Sequence, residues 1–168
     1  GATMSLTSMV DASGGLTIRD AGGLATIGDI GSGTAGAVTI TDSTGGVTFS
    51  GNVDSTTLTI TDTTDAAVVT FAQGGDVDIT TSFDTANQGY AVTINSSTFD
   101  AAGDTDFLNT GTVILGNDAS DVLTFAGGLA TTGNCSNPGT VNAAGQIKTT
   151  NTRIDIGAVT LTKATTFD

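Results

Sequence analysis

The sequence has no histidine, no tryptophan and no glutamate, and it has one cysteine, one proline and one tyrosine. Each absence removes something. Without His, the Ser-His-Asp and Cys-His arrangements of nucleophilic catalysis cannot be assembled. With Cys135 alone, no disulfide can close within the chain, so stability has to come from packing and the backbone ladder. Four basic residues against seventeen acidic ones leave a net charge of −13. That balance lacks the clustered Lys and Arg that hold nucleic acid, and it disfavours anionic membrane surfaces. No apolar run approaches the ~20 residues of a membrane helix, and no basic-then-apolar leader opens the chain. Gly1-Ala2-Thr3-Met4 reads as a processed terminus or a cloning remnant, and either suits a secreted segment.

What is present points one way. All seventeen acidic residues are Asp, which bonds its own backbone and prefers turns where Glu would prefer helix. Thr occurs 35 times and the unbranched helix formers are scarce, so strands and turns with almost no helix are expected. Leu, Ile, Val and Phe total 39 residues, just above the level at which disorder becomes the default. A thick core is hard to build from so few, whereas a narrow core repeated many times needs only a few apolar side chains per repeat.

The commonest local pattern is apolar–Thr–apolar followed by Gly, Asp, Asn or Ser. It occurs as Leu16-Thr17-Ile18, Val38-Thr39-Ile40, Val47-Thr48-Phe49, Leu58-Thr59-Ile60, Val69-Thr70-Phe71 and Val92-Thr93-Ile94. Variants follow at Val77-Asp78-Ile79, Val113-Ile114-Leu115, Leu123-Thr124-Phe125 and Val159-Thr160-Leu161. The period is two, with apolar residues inward and Thr outward. From Val38 to Leu58, Val47 to Val69, Val69 to Val92 and Val92 to Val113, two interleaved strand series recur about every 21 residues. These spacings predict an all-β fold, a parallel β-helix (β-solenoid) with rungs of about 21 residues. About eight rungs at ~4.8 Å would give a rod of roughly 40 Å. A β-sandwich of Ig-like modules is the alternative, although the strands are short and the buried Trp and Cys pair of Ig domains are missing. Leu16-Thr17-Ile18 with Gly22-Gly23-Leu24-Ala25-Thr26 is echoed 105 residues on by Leu123-Thr124-Phe125 with Gly127-Gly128-Leu129-Ala130-Thr131, which would be five rungs. Gly36–Thr41 is likewise echoed by Gly157–Thr162. The chain reads as one domain over 1–168, with a polar N-terminal segment over 1–15. A loop over 131–151, holding the only Pro and the Cys, is expected to leave the rod.

Short apolar-Thr-apolar strands, Gly-Gly-Leu-Ala-Thr turns and the Gly51-Asn52-Val53-Asp54 segment resemble those of filamentous-haemagglutinin-like and autotransporter-passenger-like bacterial surface proteins. The resemblance covers most of the chain and is one of composition and period. It implies a right-handed β-helix, secretion, and an adhesive or surface-layer role. It carries over no functional residue.

Clustered turn carboxylates raise calcium as a cofactor, since calcium takes six to eight oxygen ligands. The candidate ligands are Asp100, Asp104 and Asp106 in one stretch, and Asp118 and Asp121 in another. The favoured reading of the same residues is that they cap turns and solubilise the rod. Asp76 and Asp78 form a further pair. The pairs Thr39/Thr41, Thr59/Thr61 and Thr160/Thr162 would make a flat hydroxyl face of the ice-binding kind if they stacked in register, with Asp78, Asn95 and Asp155 as interruptions. An Asp pair could act on a glycosidic bond, but the aromatic and basic residues of a sugar-binding groove are nearly absent. Phe49, Phe71, Phe83, Phe99, Phe107 and Phe125 read as core. Asn95-Ser96-Ser97 and Asn134-Cys135-Ser136 match glycosylation sequons.

A non-catalytic, secreted or cell-surface structural protein is therefore expected: a fibre, sheath or adhesin segment. Its partners would be copies of itself stacked end to end or neighbouring repeats of a larger chain, with a glycan or cell-surface ligand as the alternative. The strand pattern runs to Lys163 and no evident cap precedes Leu16, and both features favour stacking.

Overall fold

A computed structural model describes residues 1–9, 13–31, 36–133 and 138–168. The described residues form strands, turns and bends with no helix, and every strand pairing is parallel. This is the predicted β-solenoid, with about 7 turns of about 22 residues. Parallel pairing throughout removes the sandwich alternative, whose sheets are antiparallel.

The first turn holds β1 (Met4–Met9) and β2 (Leu16–Ile18), and the second β3 (Ala25–Ile30) and β4 (Gly36–Ile40). The third holds β5 (Val47–Phe49) and β6 (Val53–Ile60), and the fourth β7 (Val68–Phe71) and β8 (Asp76–Thr85). The fifth holds β9 (Ala91–Ile94), β10 (Thr98–Ala101) and β11 (Thr105–Asp106), and the sixth β12 (Val113–Leu115), β13 (Val122–Phe125) and β14 (Leu129–Ala130). The seventh holds β15 (Val141–Lys148) and β16 (Ile154–Asp155), and β17 (Val159–Phe167) opens an eighth.

The registers define three faces rather than the two strand series read from the spacing. The first face stacks β1, β3, β5, β7, β9, β12 and the start of β15 and β17. The second stacks Ile30, the start of β6 and β8, then β10, β13 and the ends of β15 and β17. The third stacks β2, β4 and the ends of β6 and β8, followed by β11, β14 and β16. The longer strands β6, β15 and β17 turn a corner, and their registers shift there, between Ser55 and Thr57 and between Ala143 and Gly145. Gly145 takes φ +78 at that corner, a conformation an L side chain rarely adopts.

Three expectations change. The long sequence echoes are local strand–turn–strand units used at different corners: Leu16–Ile18 lies on the third face, whereas Leu123 and Phe125 lie on the second. The 1–15 segment contributes β1, because Met4 and Leu6 alternate inward over Ala25 and Ile27. The 131–151 segment is not all loop: Val141–Lys148 is a central strand, paired with β12, β13 and β17. The extra length is absorbed before it, where Val113 pairs with Val141, 28 residues on. Cys135 and the Asn134-Cys135-Ser136 sequon lie outside the described residues.

The core is a set of columns, each one inward side chain per turn. One runs Met4, Ala25, Val47, Val69, Val92, Val113, Val141 and Val159. A second runs Leu6, Ile27, Phe49, Phe71, Ile94, Leu115, Ala143 and Leu161. All six Phe residues read as core are buried. Phe49 stacks on Phe71 at 5.2 Å, and Phe99 lies 5.4 Å from Phe71 and 5.5 Å from Phe125. Phe83 and Phe107 cross from the third face to meet them edge-on. Past the strands the ladder continues through the corners. Thr41, Ser50, Ala72, Asn95 and Gly116 each donate a backbone N–H to a carbonyl of the turn below. The hydroxyls of Thr41 and Ser50 add bonds of 3.1 and 3.0 Å to the same carbonyls. Thr and Ser are thus used where a turn leaves backbone groups to satisfy.

Candidate functional site

The outward side chains of the second face form two columns. In one, Asp54, Asp78 and Asp100 sit on successive turns in register, continued by Thr124 and Lys148. In the other, the Asn52 N–H donates to Asp29 Oδ1 at 2.9 Å and the Asp76 N–H to Asn52 Oδ1 at 3.0 Å. Adjacent turns are about 4.8 Å apart, so like charges face each other directly. The carboxyl of Asp54 is held above its ordinary range by partial burial, then by the charges of Asp78 and Asp76. The column is invisible to a reading of neighbours in sequence, because its members lie a full turn apart. The available signal was Val-Asp and Val-Asp-Ile recurring at Val53 and Val77.

The five Asp residues raised as calcium ligands are not brought together. Asp100 belongs to the acidic column of the second face. Asp104 and Asp106 lie on the third face, where the Arg153 guanidinium bridges them, at 3.0 Å to Asp104 Oδ2 and in still closer contact with Asp106. The two carboxylates raise the pKa of Arg153, that of Asp104 through its hydrogen bond contributing most. Asp118 and Asp121 shape one turn. Asp121 is buried, and its Oδ2 accepts the N–H groups of Asn117 and Asp118, both at 2.9 Å. Asp118 Oδ1 accepts the Ser120 N–H and hydroxyl, which lower its pKa. Gly116 and Gly145 pack beside this turn with positive φ, and a side chain on Gly145 would meet the Asp121 carbonyl. Among the described residues no group of three or more acidic or Cys side chains is placed to hold a metal ion.

The hydroxyl columns differ from those expected. On the first face Ser5, Thr26, Thr48, Thr70 and Thr93 occupy five successive turns in register, followed by Ile114, Asn142 and Thr160. On the third, Thr17, Thr39 and Thr59 align, and Asp84 follows them. Thr160 is therefore not in line with Thr39 and Thr59, and Asp78, counted as an interruption, is on another face. Asn95 of the first sequon is half-buried with its side-chain oxygen enclosed, and Ser96 is buried.

Tyr90 entered the sequence analysis only as the one tyrosine of the chain. It is fully buried, donates its hydroxyl to the Ile60 carbonyl at 3.0 Å and accepts the Ala86 N–H at 2.7 Å. Burial pushes its pKa up to about 12. Two cavities lie near the C-terminal turn. One, of about 160 Å³, is bordered by Thr131, Thr132, Pro138, Gly139, Val141 and their neighbours. The other, of about 220 Å³, is bordered by Ile154, Ile156, Val159 and Phe167. Among the described residues neither lining carries a charged side chain.

The fold makes this chain a β-solenoid, compatible with bacterial β-solenoid surface proteins. No protein-family model, curated protein or solved structure matches it.

Proposed function

We propose that this chain is a structural segment of a secreted or cell-surface fibre, sheath or adhesin, a stacked rod without catalytic activity. The observation that carries this reading is that every described turn repeats the same use of its residues. Inward positions extend apolar columns that run from the first turn to β17, and outward positions are mostly small or acidic. About 7 turns at ~4.8 Å make a segment of roughly 34 Å. A ladder of this kind carries load through many parallel hydrogen bonds and needs no partner for its core. The inventory argues the same way: His and Glu are absent, and the described residues of each cavity lining include no charged group. Labelling of intact cells of the source with an antibody to this chain is the test. Signal on unpermeabilised cells is expected, and signal only after permeabilisation would sink the proposal.

A second reading is favoured by one feature, the in-register column Thr26, Thr48, Thr70 and Thr93 on the first face. A regular row of methyl and hydroxyl groups at strand spacing suits an ordered water or ice surface. Thermal hysteresis of the purified chain tests it, and freezing with no hysteresis removes it.

A further inference from the structure

On the third face one side chain crosses a whole turn. The positions just before β11, β14 and β16 stack as Asp104, Gly128 and Arg153, since Thr105 pairs with Leu129 and Leu129 with Ile154. Arg153 therefore stands two turns above Asp104, about 9.6 Å at strand spacing. Its guanidinium nevertheless reaches both Asp104 and Asp106. The way is clear because turn six carries no bulk there. Gly128 takes φ +129, and a Cβ on it would stand 2.7 Å from Asp104 Oδ1 and 3.3 Å from Arg153 Cγ. Gly128 is buried at this outward position. Ala130, the next outward residue, is fully buried too, although Asp106 beneath it and Asp155 above it are not. Outward residues buried in this way are covered from outside, which fits a side chain running across turn six with its stem on the protein surface.

The strands joined in this way hold little register information of their own. β11, β14 and β16 are two residues long. Ile154 and Ile156 are half-buried on either side of exposed Asp155. Advancing this segment by two residues would set Ile156 on Leu129 and Ala158 on Thr131, and both inward positions would still be apolar. Charge separates the two registers. In the observed one Arg153 stands over Gly128, in line with Asp104. In the advanced one Asp155 would take that place and turn a third carboxylate toward Asp104 and Asp106, where like charges repel.

We propose that Arg153 is a strap over turn six: it ties turn seven to turn five and fixes the register in which β16 lies on β14. Arg suits this task because its planar fork reaches two carboxylates at once, which the compact ammonium of Lys does not. The strap is ionic and open to solvent, with the Arg153 side chain 44 % exposed and that of Asp104 52 %, so salt loosens it. It is a conformational device. One face of the rod is held by a contact that ionic strength releases, while the backbone ladders of the other two faces stay closed.

Hydrogen exchange read amide by amide, by nuclear magnetic resonance on the 168-residue chain, provides the test. The Leu129 and Thr131 N–H groups donate to the Arg153 and Asp155 carbonyls at 3.0 and 2.9 Å, so they report the third face between turns six and seven. The Val113 N–H, bonded to the Thr140 carbonyl at 2.9 Å, reports the first face between the same turns. Arg153→Gln is expected to speed exchange at Leu129 and Thr131 roughly two- to fivefold at low salt and to leave Val113 unchanged. Raising the salt should carry wild type to the rates of this variant and leave the variant where it is. Arg153→Lys should fall between the two. Arg153→Asp should speed exchange further, and Asp104→Arg in the same chain should restore protection by reversing the pair. Unchanged exchange in Arg153→Gln overturns the proposal. So does an equal rise at Val113, which would mark general destabilisation, and so does a reversed pair that restores nothing.

Discussion

At the scale of single residues, position in the coil decides what a side chain does, and identity alone does not. Tyr90 shows this. Its hydroxyl is enclosed and bonded on both sides, so Tyr90→Phe strands the Ile60 carbonyl and the Ala86 N–H. A loss of about 1–3 kcal/mol is expected in denaturant melts at neutral pH. The raised pKa has a signed consequence. Between the ordinary phenol value of about 10 and the folded value of about 12 the unfolded chain loses its proton first. Stability contributed by the protonated phenol is therefore constant below pH ~10 and falls as pH rises toward ~12. Tyr90→Phe should lack that part of the alkaline fall, and identical alkaline curves for the two proteins would refute the assignment. The acidic column follows the same sign in the acid range. Asp54 titrates above its ordinary range, so its charge disfavours the fold at neutral pH, and stability rises as pH falls through the raised pKa. Asp78 sits between Asp54 and Asp100. Asp78→Thr is expected to stabilise by about 0.2–1 kcal/mol, measured as a higher melting temperature at low salt that converges on wild type at high salt. An unchanged or lower melting temperature at low salt would contradict the column as a source of repulsion.

At the scale of the element, strands with strong period-two patterns were legible and the weak ones were not. All ten apolar–x–apolar triplets lie in strands. The third-face strands β11, β14 and β16 are only two residues long. Two residues cannot show a period, which is why three faces read as two series. β15 was hidden for a different reason: Val141–Lys148 has Ala143, Ala144 and Gly145 at its centre, small residues that resemble a loop in sequence. They fit because a corner passes there. The Phe contacts join elements that are distant in sequence, and Phe99 touches Phe71, Phe83 and Phe125. Phe99→Ala is expected to cost about 3–5 kcal/mol, whereas Phe167→Ala, at an exposed turn, should cost far less. Equal losses for the two in chemical denaturation would mean that the column does not carry the stability.

At the scale of the whole molecule, each turn contacts mainly the turns above and below, so stability is nearly a sum over turns and their interfaces. Val69 pairs with Val92, so removing residues 69–91 brings Val92 to the place Val69 held. That shortened chain is expected to fold, with the same β signal and a modestly lower melting temperature. Removing residues 69–80 instead delivers the next strand to the wrong face and should abolish the cooperative transition. If both deletions behave alike, the chain is not a modular coil. The same reasoning explains how ten short strands and a recurring spacing were enough to recognise a solenoid, while the pairing of particular turns was not recoverable from them.

The amino-acid sequence by itself determined the class of structure and its material: Thr and Asp without Glu, a period of two, and a spacing near 21 residues leave little but a thin stacked β-rod. It also determined, through the missing His, which chemistries cannot occur. The tertiary structure decided what stacks on what. Register is set by corner geometry and by loops of unequal length, so Asp54, Asp78 and Asp100 meet, Asp104 and Asp106 go to Arg153, and Asp118 and Asp121 are used up within one turn. Residues a turn apart in the coil are neighbours at strand spacing, and only the folded chain tells which residues those are.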